Sequence, residues 1–321
     1  MTDLSSLDLR PLRQVARCAI VAVSAGRVRQ MVSIGTASDT SFRIASLTKA
    51  LTAVCAVRAA ERAGVGLDTH VLDVLPALRD DWAADTGPTI AEVLSQTSGL
   101  ATTVTADDIS RLGDEDTVSM EAARLVVRAG STRPRGHLWE YYNGNYFLAG
   151  AVIAALTRTT YEDALVDLVL RPWGLTATSF VPRANLARGV EQDRTFTASA
   201  YPRGRRPSGG LCSTAADLIA FGERLLDDAG LLTQARTVRT RPEDPMRYGL
   251  GWAIGPSGQM YLNGRLPGYR TALLLVPDHN LVGATLAADS DALPAEARIL
   301  SELQRDLTGD DLAEAIDAFA A

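Results

Sequence analysis

Two stretches near the N-terminus, Cys18-Ala19-Ile20-Val21-Ala22-Val23 and Val28-Arg29-Gln30-Met31-Val32-Ser33-Ile34, are rich in β-branched and apolar residues and are separated by Ala25-Gly26. This pattern predicts a β-hairpin. The period then changes. Leu47, Ala50, Leu51, Val54 and Val57 fall along one helical stripe, with Arg58 near its edge and Gly64 as a stop, so a helix is predicted from Ser46 to about Gly64. A shorter helix is predicted over residues 7–16. From about 70 to 200 helical periodicity prevails over residues 90–94, 119–129, 146–156 and 161–170, joined by loops that carry Gly and Pro. Beyond Gly209-Gly210 a helix is predicted at about 214–228, then strands over 249–254, 259–262, 271–276 and 281–287, and one or two helices over 293–319.

Strands at both ends with helices between them predict an α+β protein. Its antiparallel sheet draws on N- and C-terminal segments, is flanked by helices, and carries an inserted all-helical subdomain. The expected division is a sheet subdomain of residues 1–70 and 205–321 and a helical insertion of residues 71–204. No internal repeat or low-complexity tract interrupts this organisation.

The chain of 321 residues is long enough to bury a large core. No apolar run reaches the roughly 18 to 20 residues of a membrane span, and Met1-Thr2-Asp3-Leu4-Ser5-Ser6 has no basic region leading into an apolar one. The net charge of -6 argues against nucleic acid as a partner. Cys18, Cys55 and Cys212 are odd in number, widely spaced and set in apolar surroundings, which reads as buried thiols in a reducing compartment. Together these features predict a cytoplasmic protein without membrane attachment. His70, His137 and His279 lack metal-ligand spacing, and neither metal nor cofactor is expected. Asp80-Asp81 and residues 107–116 are expected as exposed loop. Arg203, Arg205 and Arg206 form a basic loop, more often solvated than a seat for an anion.

Candidate chemistry centres on Ser46-Leu47-Thr48-Lys49. Lys49 is the only lysine in the chain; every other long basic side chain is arginine. Arginine stays protonated in proteins, whereas a buried lysine can release its proton and act as a base. Positions i and i+3 share a helix face, so Ser46 and Lys49 can meet, and a serine opening a helix sits where the dipole favours negative charge. The bland alternative is an N-cap serine with a solvated lysine. A second candidate is Trp139-Glu140-Tyr141-Tyr142-Asn143-Gly144-Asn145-Tyr146, in which a Tyr-x-Asn corner beside Lys49 would supply a second proton-transfer group, Tyr142 and Tyr146 being assigned to packing. Taken alone, it reads as an aromatic loop packed on the core. A third is Leu262-Asn263-Gly264-Arg265-Leu266-Pro267-Gly268-Tyr269. Its glycines ordinarily mean a turn, but a glycine on an edge strand also lets backbone N–H groups approach a substrate.

The order of these stretches resembles the serine hydrolase family that contains class C beta-lactamases, penicillin-binding DD-peptidases and their esterase and transacylase relatives. Ser46-x-x-Lys49 is similar to its first motif, Tyr141-x-Asn143 to its second, and Leu262-Asn263-Gly264 to its strand motif. The phrases Leu94-Ser95-Gln96-Thr97-Ser98-Gly99-Leu100, Pro172-Trp173-Gly174-Leu175, Gly209-Gly210-Leu211-Cys212-Ser213-Thr214-Ala215 and Tyr248-Gly249-Leu250-Gly251-Trp252 follow in family order. The resemblance implies a beta-lactamase/transpeptidase-like fold, acylation of Ser46, and proton traffic shared by Lys49 and Tyr141. It further implies orientation by Asn143 and an oxyanion hole of the Ser46 and Arg265 backbone N–H groups beside Gly264. Two positions depart from the family. Gln96 replaces a histidine, read as a structural difference. Leu262 replaces the Lys or His that meets a substrate carboxylate, with Arg265 or Arg270 as candidates to restore the charge. The expectation is a serine esterase or transacylase acting on a small-molecule acyl donor, with water, an amine or an alcohol as acceptor. A beta-lactamase or D-alanyl-D-alanine peptidase is the enzymatic alternative, and a non-catalytic binding protein the alternative of another class.

Overall fold

The computed structural model describes residues 4, 7–82, 87–196 and 200–319; most of the N-terminal tract read for a leader lies outside them. Ten strands are found among these residues: β1 Ala19–Ala25, β2 Val28–Ile34, β3 Phe42–Arg43, β4 Gly189–Glu191, β5 Arg194–Phe196, β6 Cys212–Ser213, β7 Ala253–Ile254, β8 Met260–Leu266, β9 Tyr269–Val276 and β10 Leu281–Ala287. Six of them form one sheet in the order β2-β1-β10-β9-β8-β7. Every pairing within it is antiparallel. The N-terminal hairpin and the C-terminal strands therefore share a sheet, because β1 lies against β10 with Ala19 opposite Ala287. The first hairpin turns at Gly26-Arg27, one residue later than expected, with φ of 55° and 73°. Two successive residues in the left-handed region give the turn a twist that matches the strands it joins.

Helices cover both faces of the sheet, and the register shows which residues face which layer. Gly222, in the Ala215–Asp227 helix, would place a Cβ 2.5 Å from Val282, whereas a Cβ on the neighbouring Gly283 would meet Leu300 and Leu303 of the Leu293–Thr308 helix. Successive strand residues point to opposite faces, so these two helices lie on opposite sides. Gly264, Thr271 and Leu286 stand in register and share the Val282 face. That face carries the turn before Ser46.

Between the terminal segments the described elements are mostly helices, including Ile90–Leu94, Val118–Arg128 and Asn143–Thr157. The β4–β5 hairpin is the exception. Its Gly189 N–H donates to the Tyr269 hydroxyl, and Val190 bridges Asp289, which ties the hairpin to the end of the sheet. The Thr48–Ala63 helix is not the one-sided amphipath that the stripe predicted: 12 of its 16 residues are buried, because alanines and threonines fill its remaining faces. Small side chains allow it to be surrounded by sheet and helices alike. Asp81 is not free loop either, since Arg124 and Arg128 hold its carboxylate at 2.9 and 2.7 Å. Among the described residues no helix is long and apolar enough to cross a membrane.

Candidate active site

Ser46 emerges from a tightly built turn. β3 pairs with β6, and Ile44 N–H donates to the Leu211 carbonyl at 3.0 Å, which fixes the chain just before the serine. Ala45 then adopts φ of 47°, a left-handed conformation that costs a residue with a Cβ on the order of 1 kcal/mol. A short 3₁₀ turn, Ala45–Leu47, leads into the Thr48–Ala63 helix. From Thr40 through Val57 every residue but Ser46 is buried. The sheet supports this turn at close range. Thr271 Oγ1 donates to the Ile44 carbonyl at 3.1 Å, and a Cβ at Gly264 would fall 2.4 Å from the same oxygen. Only glycine lets β8 approach this closely.

Two groups converge on Ser46 Oγ. Lys49 Nζ lies 3.1 Å away and the Tyr141 hydroxyl donates to it at 2.8 Å. Lys49 is wholly buried, and its amine also donates to the Ser208 carbonyl at 2.8 Å. Burial holds this amine well below the ordinary lysine range. Burial likewise pushes the Tyr141 phenol above its ordinary range, against a smaller opposing effect of its hydrogen bond to Ser46. Lys49 Nζ also stands over the Tyr141 ring, 4.9 Å from its centre. Both shifts favour the neutral forms. An uncharged amine donates through its two hydrogens and offers a lone pair, which suits it to accept the Ser46 proton.

Gln96, which the sequence suggested as a structural substitution, holds Tyr141 from both sides. Its carbonyl accepts from Glu140 N–H at 3.0 Å. Its side-chain Oε1 accepts from Tyr142 N–H at 3.1 Å and from Asn145 Nδ2 at 2.7 Å. The tyrosine's neighbours in sequence are therefore pinned by one buried residue with φ of 64°. Tyr142 and Tyr146 are buried and bond to the Val104 and Leu94 carbonyls.

Several expected positions behave otherwise. Asn143 is exposed at the start of its helix, and no hydrogen bond joins its side chain to Lys49 among the described residues. The Ser208 carbonyl holds the amine instead. Leu262 has no accessible surface and stands opposite Leu273 in the core. It shares the Gly264 face and is enclosed there, so it presents neither charge nor accessible surface to a substrate. Arg265 is half-buried opposite Arg270. The Arg270 guanidinium donates to the carbonyls of Leu266 and Tyr269, both at 2.8 Å, which ties it to the strand turn. In the basic loop, Arg203 and Arg206 share Glu162 at 3.0 and 2.7 Å, while Arg205 lies over the Tyr201 ring. Among the described residues no histidine, cysteine or carboxylate cluster could hold a metal ion.

Sequence reasoning missed three contributors. Ser208 acts through its backbone, which no side-chain pattern reveals. Tyr201, hydrogen-bonded with Arg205 and Ser208, lies close enough to Tyr141 to affect its ionisation. Phe319, in the last described turn, packs edge-on against Tyr141 with ring centres 5.8 Å apart.

A family model described as Beta-lactamase matches residues 14–304. Penicillin-binding protein 4 of Amycolatopsis lactamdurans is 26% identical over 319 residues, spanning 89% of this chain and 82% of that protein. A crystal structure of a D-stereospecific amidohydrolase from Streptomyces sp. aligns with a TM-score of 0.74 at 20% identity, over 94% of this chain and 99% of that one. EstCE1, described as a hydrolase with promiscuous acyltransferase activity, aligns with a TM-score of 0.71 at 19% identity, over 86% and 89% of the two chains. Identities this low establish a common fold.

Proposed function

The chain belongs to the Beta-lactamase family, and on that premise we propose that it is a serine acyl-transfer enzyme, an esterase or transacylase that carries its acyl group on Ser46. The observation that carries this reading is the convergence of Lys49 Nζ and the Tyr141 hydroxyl on one partly exposed serine oxygen, at 3.1 and 2.8 Å. Neutral Lys49 takes the Ser46 proton as Oγ attacks the acyl carbon. The bond from that carbon to the leaving oxygen or nitrogen breaks, and the proton passes through Tyr141 to the departing group. Water, an alcohol or an amine then enters by the reverse route, and Ser46 is regenerated. The pair works as a unit, with Lys49 the base and Tyr141 the donor and relay, each in the form that its burial favours. The backbone N–H groups of Ser46 and Arg265 are assigned to the oxyanion, and Asn143 to a polar group of the substrate.

A serine-directed phosphonate tests this reading. It should add one label on the peptide that holds Ser46 and none in Ser46→Ala; an unlabelled wild type, or a label that survives the substitution, refutes it and leaves the binding-protein alternative. The kinship with penicillin-binding protein 4 supports a second reading, a beta-lactamase or DD-peptidase. Against it stands Leu262, which is buried and uncharged where relatives meet a carboxylate. Hydrolysis of a chromogenic cephalosporin faster than of neutral esters would favour that second reading. Three unpaired thiols support a cytoplasmic setting.

A further inference from the structure

A cavity of about 790 Å³ opens beside Tyr141. Trp139, Tyr141, Met246, Ile254, Tyr261 and Phe319 form its apolar walls. Phe319 already shows what this surface accepts. Its ring centre lies 5.8 Å from Tyr141, 6.3 Å from Trp139, 5.8 Å from Tyr248 and 6.1 Å from Tyr261. Edge-on and offset contacts at these distances are the favourable arrangements for aromatic pairs. The Ala313–Ala318 helix that brings Phe319 here is anchored to the sheet, since buried Asn263 donates through Nδ2 to the Ile316 carbonyl.

Both carboxylates around the cavity are paired with an arginine, whereas Arg247 has only backbone partners among the described residues. Arg133 pairs with Glu140 at 2.6 Å, Asp311 pairs with Arg305 at 2.7 Å, and Arg247 donates to the Gly255 carbonyl at 3.2 Å. A cation entering the cavity would lose water and meet only carboxylates already paired, and an anion would find only the solvent-exposed Arg247 guanidinium, which offsets little of the water it gives up.

The chemistry indicates which part of a substrate lies here. Of the two groups that touch Ser46 Oγ, Lys49 is wholly buried and Tyr141 keeps partial exposure. The proton that departs with the leaving group must therefore be delivered from Tyr141, so the leaving oxygen or nitrogen stands on the Tyr141 side. We propose that the aromatic-walled cavity is the pocket for the leaving group and the incoming acceptor, and that it takes a neutral alcohol or amine bearing an aromatic or bulky apolar substituent. This rests on the reading of Ser46 as the acyl carrier.

The test holds the acyl group constant and varies the alcohol. Ethyl, phenethyl and para-carboxyphenethyl acetates are compared by kcat/KM, each normalised to its hydrolysis by hydroxide. Phenethyl acetate should exceed ethyl acetate by at least about tenfold, the effect of burying most of one ring, and the carboxylated ester should fall back to the ethyl value or below. Phenethyl alcohol should likewise divert the acetyl-enzyme from water more efficiently than ethanol at equal concentration. Phe319→Leu should reduce the phenethyl-to-ethyl ratio several-fold and Phe319→Ala more; should the alanine variant not fold, the leucine variant and the wild-type series decide. Equal rates for the three esters while the phosphonate still labels Ser46, or preference for the carboxylated ester, overturns the pocket assignment. Failure of the phosphonate to label Ser46 instead overturns the acyl-enzyme reading beneath it.

Discussion

Lys49→Met removes the one buried amine while keeping an unbranched side chain of similar length, and the outcome depends on pH in a way the structure fixes. Lys49 is wholly enclosed, and burial alone sets its depressed pKa. In the unfolded chain a lysine titrates near ~10.4. Between the depressed folded value and that unfolded value, the unfolded chain binds a proton that the folded protein does not. Stability therefore rises with pH across this window, by about 1.4 kcal/mol per unit where the difference in protonation is complete. Above the window the lysine is neutral in both states and satisfies the Ser208 carbonyl. Methionine leaves that carbonyl without a partner, at about 1–3 kcal/mol, so at high pH the variant is the less stable protein. As pH falls the wild type loses its advantage at about 1.4 kcal/mol per unit, and one or two units into the window the two curves cross. Below that crossing the methionine variant should be the more stable protein. Urea unfolding of both proteins from about pH 7 to about pH 10 measures the difference directly, because every other titrating group is common to the pair. A difference that stays flat across this range would mean that Lys49 titrates alike in both states, and the argument for a neutral base would fail with it.

Two further outcomes follow from the same geometry. Lys49→Arg keeps a cation that cannot cycle a proton, so turnover should fall by at least about two orders of magnitude; in the wild type kcat/KM should rise with pH through the depressed lysine pKa and then level, and an Arg variant with near-normal turnover would refute the assignment of the base. Gln96→Ala strips the acceptor from Tyr142 N–H and Asn145 Nδ2, two buried donors, and should cost about 2 kcal/mol or more in urea unfolding while lowering kcat. Undiminished stability would show that Gln96 does not hold the Tyr141 corner.

How much of this was legible in the sequence depended on whether a feature acts through side-chain type and period or through distant backbone. Runs of β-branched and apolar residues located β1, β2, β9 and β10, and the lysine count located Lys49, because a residue type used once in 321 positions carries information that a local motif does not. The reach of β8 was underestimated. Its Asn263-Gly264 resembles turn composition, yet both residues lie inside the strand, Gly264 because the Ile44 carbonyl occupies the space of a side chain. The family resemblance of the strand motif, and not its composition, places Leu262 at the substrate. Its residue type was plain, but its depth in the core follows from how the Ser46 turn seats on the sheet, which is a long-range fact. Gln96 and Ser208 were obscure for a related reason: each works through carbonyl or amide contacts to segments tens of residues away or more.

The neutrality of the site and the character of its cavity constrain each other. Burial favours the uncharged forms of Lys49 and Tyr141, and on the proposed mechanism opposite charges develop as the reaction proceeds, on the lysine and on the acyl oxygen. Beside a lysine wholly removed from solvent their mutual attraction is stronger than it would be in water. A carboxylate resting beside Lys49 would spoil this. It would stabilise the ammonium form, raise the lysine pKa and withdraw the base before substrate attack. The family resemblance leads one to expect a Lys or His on the strand motif; here that position is Leu262, buried and apolar. Without that cation the site offers a carboxylate little, and the aromatic walls around Tyr141 and its already paired carboxylates fit a neutral group better. The same substitution that argues against a penicillin-like substrate would thus let a lone buried lysine serve as the base we propose.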